Sequence, residues 1–368
     1  MRVLLVSINA FSLLSGAAYL RQSGLRPESV SVVHYESPSH LVELEQWLCG
    51  VLGFNHVGDL GLLWQRAEKM LAGSRLGLPL RLRRFLPRWR AWAAKLLPQL
   101  DAANADHVIM PYRPHAADIL LANLFPRAQF HFVSEGMLIG FTPLRRLPLK
   151  YRIAGLAFPY KKRGETIWSL PVLQKAMQNF GAPRLIEQKH FDDVGDRVTA
   201  HADFRGFVDQ VFGASINDDF SCLLLQPLAH VGEGRGVDHP SEIAAWAAII
   251  RRELQLSAKT ILVKPHPRDT QFKLELIRRL LPEDQLQRVC FLGTDTLSKL
   301  PLELFFRFLP IRRLVGICST ALLIAPAAGV ELRTYRTADL LSPMETEITR
   351  GALAGGYTPV DLAAPLSG

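Results

Sequence analysis

Short apolar runs alternate with stretches of helical periodicity through most of the chain, and no other feature restricts its fold so strongly. In the first half the runs VLLVS (3–7), SVSVVHY (29–35), HVIMPY (107–112) and AQFHFVSEG (128–136) read as strands. Between them, helical stretches are expected near Leu13–Arg21, His40–Leu52, Leu60–Leu71, Arg88–Leu100 and Ala116–Leu124. In the second half SCLLLQPL (221–228), KTILVKPH (259–266), RVCFLG (288–293), RLVGICS (313–319) and ELRTYR (331–336) repeat the scheme. Strands separated by helices return through right-handed crossovers and build parallel sheets. Two such series predict the α/β class with two Rossmann-like, doubly wound domains, 1–195 and 196–345, followed by a loose Gly-, Ala- and Pro-rich tail, 346–368. The boundary is expected within the polar stretch Gly181–Asp219.

A chain of 368 residues, 48% apolar and 21% charged, is long enough for two buried cores and too apolar for disorder. Its formal charge of +9 favours an anionic partner, whether a phosphate ligand, a nucleic acid or a membrane surface. The excess sits in two stretches without an acidic residue, Arg75–Gln99 and Met137–Gly164, each holding seven Lys or Arg. In the first, Trp89, Trp92 and Leu96 share one helical face, which suits a membrane surface and a packed core equally well. Aromatic stacking motifs and a reading helix are missing from both, so no nucleic-acid partner is expected.

Cys49, Cys222, Cys290 and Cys318 lie far apart in apolar runs and are expected to be buried thiols of a reducing compartment. Polar residues Ser7, Asn9, Ser12 and Ser15 interrupt the N-terminal apolar run, so Val3–Ser7 is read as a first strand and not as a secretory leader. The uncharged run Leu314–Val330 contains Pro326 and is short for a membrane span. A cytoplasmic protein is the expectation, with peripheral contact at the inner face of the cytoplasmic membrane left open.

Ligands of open α/β sheets bind beyond the carboxyl ends of the strands. Those ends read Ser134-Glu135-Gly136, Gln226-Pro227-Leu228, His266-Pro267 and Ser319-Thr320. His266 stands between two prolines, which restrict the backbone on both sides, and between Lys264 and Arg268, which suit an anion. Ser319 and Thr320 precede a helical run and can cap it or help bind phosphate. Glu135 is placed to act as a general base, with Gly136 allowing close approach. Gly232, Gly234 and Gly236 form a loop after a strand, without the spacing of a dinucleotide fingerprint. Each feature also has an ordinary account as a turn, a cap or a surface loop. The His and Asp residues of 190–204 lack metal-site spacing, so no metal is expected.

Taken in order, SEG (134–136), KPHP (264–267) and CSTAL (318–322) resemble the motifs of bacterial sialyltransferases and the related polysialyltransferases. INAFSLLSGAAY (8–19), LLLQPL (223–228) and LPLELFF (300–306) extend the similarity to about residue 330. The resemblance implies a GT-B fold, its two domains facing across a cleft, and metal-independent, inverting transfer of sialic acid from CMP-sialic acid, with no cofactor. It implies Glu135 as base, His266 at the departing CMP phosphate, and Ser319 and Thr320 as phosphate-binding hydroxyls. Gln226, Lys264 and Pro267 are expected to line the donor site, with Gly136, Gly232 and Gly234 supporting the loops. Ser134 stands where the family has its first acidic residue.

The acceptor implied is an anionic glycan or glycolipid. Kdo transferases also use CMP-sugars and share a His-Pro element, so that donor stays open. A UDP- or GDP-sugar transferase would need a ribose-binding glutamate, for which Glu303 and Glu331 are the candidates. Ser134 also keeps open a catalytically silent glycan-binding protein.

Overall fold

The structure is a computed structural model that describes residues 1–35, 41–61, 65, 87, 91, 95, 105–111, 125, 128–133, 187–213, 219–228, 239–306, 308–317, 330–336 and 360–361. The chain divides into two compact units, Met1–His201 and Ala202–Gly368.

The first unit is built on a parallel sheet of β1 (Arg2–Ser7), β2 (Ser29–His34), β3 (Asn55–Asp59), β4 (His107–Pro111) and β5 (Gln129–Val133) in the order β3-β2-β1-β4-β5. β1 is central because it is apolar on both faces: Val3, Leu4, Leu5 and Val6 are all buried. Its register, Val3 opposite Val30 and Leu5 opposite Val32, lines apolar residues along the sheet. The next helix, α1 (Ala10–Ser23), starts at a capping box in which Asn9 and Ser12 satisfy each other's backbone N–H groups. It ends at Gly24, whose φ of 69° is the left-handed cap that glycine adopts without strain. In mid-helix Gly16 lets α1 lie on the sheet, for a Cβ there would stand 2.6 Å from Leu5 Cδ1.

The described residues of the polar stretch expected to hold the domain boundary form two successive helices, α3 (Gln188–Ala200) and α4 (Ala202–Phe212), after α2 (Val42–Leu52). α3 packs on α1 and α2: Phe191 meets Phe11 at 5.5 Å between ring centroids, and Arg197 donates to the carbonyls of Val51 and Leu52 at the end of α2. A guanidinium at a helix C-terminus both satisfies orphan carbonyls and opposes the dipole. The two compact units divide after His201, directly behind α3 and within the stretch Gly181–Asp219.

The second unit has a parallel sheet in the order β11-β10-β9-β6-β7-β8, with β6 (Phe220–Leu224), β7 (Thr260–Lys264), β8 (Val289–Phe291), β9 (Ile311–Gly316), β10 (Glu331–Arg336) and β11 (Val360–Asp361). β11 pairs with Tyr335 and Arg336, so this part of the expected loose tail joins the sheet. Crossover helices are α5 (His239–Leu256) and α6 (Gln271–Arg279), with short helices α7 (Glu283–Leu286) and α8 (Leu302–Phe305) in the later connections. Trp246, Ile249 and Ile250 of α5 pack with Ile261, Val263 and Val315 in one core. Buried Glu253 of α5 accepts hydrogen bonds from Tyr335, Arg333 and Arg313, tying the helix to β9 and β10.

Both sheets reverse their order about the first strand of the unit. The reversal lies between β1 and β4 in one, and between β6 and β9 in the other. At such a point the connections leave in opposite directions and open a crevice at the carboxyl ends. In the second unit those ends lead into Gln226 and toward Ser319-Thr320.

Candidate functional site

β7 ends at Lys264, and α6 begins after its N-cap Thr270, leaving a five-residue corner, Pro265–Asp269. Within it the His266 N–H donates to Asp269 Oδ2 at 2.8 Å, and the Asp269 N–H returns a bond of 2.8 Å to the His266 carbonyl. Arg268 N–H donates to His266 Nδ1 at 3.2 Å. Since Nδ1 accepts, a neutral ring carries its proton on Nε2. The corner thus holds backbone and ring together, adding hydrogen bonds to the stiffness of the flanking prolines. His266 and Pro267 are half-buried and Arg268 is exposed, so a cation and an N–H donor stand at the end of β7.

Below the corner lies a group of buried charges. Lys273 of α6 donates to Asp269 Oδ1 at 2.6 Å and to the Gln226 carbonyl at 3.0 Å, and pairs with Glu242 of α5. Burial pushes the Asp269 carboxyl above its ordinary range, against the pull of Lys273 and of the His266 N–H. Beside this group is a groove of about 350 Å³ lined by Pro227, His239, Arg268, Thr270, Phe272 and Lys273, among others.

Gln226 is reached here through its carbonyl, at the end of β6 and one strand from His266. Lys264 turns inward. Its ammonium donates to the Ser298 carbonyl at 2.7 Å and lies 5.2 Å from the centre of the Phe305 ring. Ser298 in turn donates to the carbonyls of Gly293 and Asp295, so Lys264 fastens the connection after β8 to the tip of β7. That is a different task from lining the donor site, which its position beside His266 had suggested. Glu135, Gly136, Gly232, Gly234, Ser319 and Thr320 lie outside the described residues, as does Ser134.

Burial pushes the Lys264 ammonium down to about 8, while Cys222, Glu303 and Asp295 oppose the shift. The unfolded chain keeps a lysine near 10.4. Between those values the unfolded state binds the proton that the folded state has released, so this group's contribution to stability rises with pH. Wild-type stability relative to Lys264→Met is therefore expected to increase by about 2 kcal/mol from pH 7 to pH 10, measured by urea unfolding. Parallel curves for the two proteins would contradict the buried ammonium.

The two glutamates considered for a UDP- or GDP-sugar site are engaged otherwise. Glu331 opens β10, at the amino end of the sheet, and pairs with Arg313 at 2.9 Å and Arg333 at 3.4 Å. The Glu303 carboxyl is pushed up by burial, with Lys264 opposing. Sequence reasoning passed over Asp269, Lys273 and Glu242. The available signal was Asp269 three residues after His266 and four before Lys273, the spacing of a turn leading into a helical ion pair.

Comparison with known proteins adds the following. The family described as alpha-2,8-polysialyltransferase matches residues 120–328, more than half of the chain. No curated protein matches. Among solved structures, a proposed UDP-N-acetylglucosamine 2-epimerase from Listeria monocytogenes is 11% identical with a TM-score of 0.51, covering 98% of this chain and 84% of that one. Another structure named as UDP-N-acetylglucosamine 2-epimerase is 14% identical with a TM-score of 0.50, covering 98% and 84%. At these identities the likeness concerns the fold, which is GT-B with two Rossmann-like α/β units.

Proposed function

The chain belongs to the alpha-2,8-polysialyltransferase family and is a glycosyltransferase, and from that premise we propose that it transfers sialic acid from CMP-sialic acid, with inversion and without a metal, to a hydroxyl of an anionic glycan or glycolipid. The observation that carries the reading is the held corner at His266, whose Nδ1 accepts the Arg268 N–H and so leaves the ring proton to Nε2, at the carboxyl end of β7. Departure of CMP leaves charge on a phosphate oxygen, and a preset N–H donor with a neighbouring cation stabilises that charge without reorganising. Ser319 and Thr320 add hydroxyl donors to the same phosphate. Gln226 and Pro267 border the donor, with Gly232 and Gly234 in supporting roles.

In the reaction, the acceptor oxygen forms a bond to the anomeric carbon as the bond from that carbon to the phosphate oxygen breaks. The electron pair leaves with CMP, and the acceptor proton passes to Glu135. Attack from the face opposite the leaving group inverts the centre. Gly136 lets the acceptor chain come close to the carboxylate. The net positive charge of +9 favours an anionic acceptor and contact with an anionic membrane face. Among the described residues no helix is long and apolar enough to cross a membrane.

The test is a panel of CMP-sialic acid, CMP-Kdo, UDP-sugars and GDP-sugars with purified protein and oligosialic acceptors, in the presence of EDTA. Release of CMP from CMP-sialic acid coupled to product formation is expected. Turnover of CMP-Kdo alone would move the assignment to that donor, UMP release would reject the CMP class, and binding of acceptor without turnover of any donor would leave a glycan-binding protein.

A further inference from the structure

We propose that Asp269 and Lys273 are positioning residues that set His266 relative to the end of β6, an inference that rests on His266 acting at the leaving phosphate. Prolines restrict the corner but do not aim it. Contacts that tie it to other elements aim it, and these two side chains supply a connected set of them. Asp269 is nearly fully buried, with 2% of its side chain exposed, and its two oxygens do different work. Oδ2 accepts the His266 N–H, and Oδ1 accepts from Lys273 at 2.6 Å. Lys273 then reaches the Gln226 carbonyl at 3.0 Å, 47 residues earlier in the chain, and Glu242 on α5.

One ammonium thereby references the His266 corner to the adjacent strand and to a second helix. β6 borders the reversal of strand order, where an α/β sheet takes its ligand. A shift of the corner against β6 would move Nε2 relative to whatever β6 and β9 hold between them. Helix capping is a separate matter, because Thr270 already caps α6 through its hydroxyl. A stabilising role alone would predict lost folding without a selective loss of turnover.

Asp269→Asn keeps the shape and an oxygen for the His266 N–H but gives up the charge that holds Lys273, while Lys273→Met removes the tie to Gln226. Both are expected to lower kcat for CMP release from CMP-sialic acid by about 10- to 100-fold, with KM for the donor changed less than about threefold. Nitrogen-15 NMR of the histidine rings in the free protein, with the His266 signal identified by its loss in His266→Gln, supplies a second reading that needs no substrate. Wild type is expected to show the Nε2–H tautomer, and Lys273→Met a mixture of tautomers. Folded variants with unchanged kcat, or with an unchanged His266 tautomer, would overturn the positioning role. If wild type releases no CMP, the proposed function fails, and the tautomer comparison still decides whether Lys273 keeps the corner in the form that orients the ring.

Discussion

Replacement of His266 by alanine is expected to reduce kcat for sialyl transfer by about 10²- to 10⁴-fold, the usual contribution of a positioned proton donor. The fold should survive. Both bonds between His266 and Asp269 use the His266 backbone, N–H in one direction and carbonyl in the other, so alanine retains them. The ring goes, and with it the acceptor at Nδ1 for the Arg268 N–H, an exposed bond worth about 1 kcal/mol at most. A loss of turnover at a nearly unchanged melting temperature would therefore be a loss of chemistry. Steady-state CMP release with thermal melting of the same preparation measures both. A folded variant within threefold of wild-type kcat would remove His266 from the mechanism.

Glu135→Gln is expected to have an effect of the same order, about 10²- to 10⁴-fold on kcat, through the other half of the reaction. An alcohol is a weak nucleophile until its proton has somewhere to go, and the amide cannot take it. Ser134, in place of the family's first acidic residue, offers no neighbouring carboxylate to substitute for the base. The loss should fall on transfer to a hydroxyl. Azide, which attacks without giving up a proton, is expected to recover part of the CMP release in the variant. Full hydroxyl transfer by Glu135→Gln would show that another group takes the proton.

How much of this could be read in advance varied with how local the cause was. All nine strands expected from apolar runs are present in the structure, because a buried parallel strand needs an apolar residue at nearly every position. β3 was missed: NHVGD has one large apolar residue, and it pairs only because β2 offers it an edge. α3 was missed for a related reason. Of its apolar residues only Val194 and Val198 are deeply buried, and the His and Asp residues of 190–193 and 201–204 drew attention to metal chemistry instead. His201, part of that same run, stands edge-on to Trp47 at 5.5 Å.

The candidate site divides along the same line. The amino-acid order alone placed His266 on a stiff corner after a strand, since proline acts on its own φ and on its immediate neighbour. It also showed that two parallel sheets would end in polar residues. Tertiary structure alone decided the strand order, and with it that the reversals fall at β1–β4 and β6–β9. It also decided where the long side chains go. Lys264 bonds a carbonyl 34 residues away and Lys273 one 47 residues away. A lysine carries its charge on four rotatable bonds, so its direction is set by the partners that folding brings within reach, and periodicity along the chain holds no record of them.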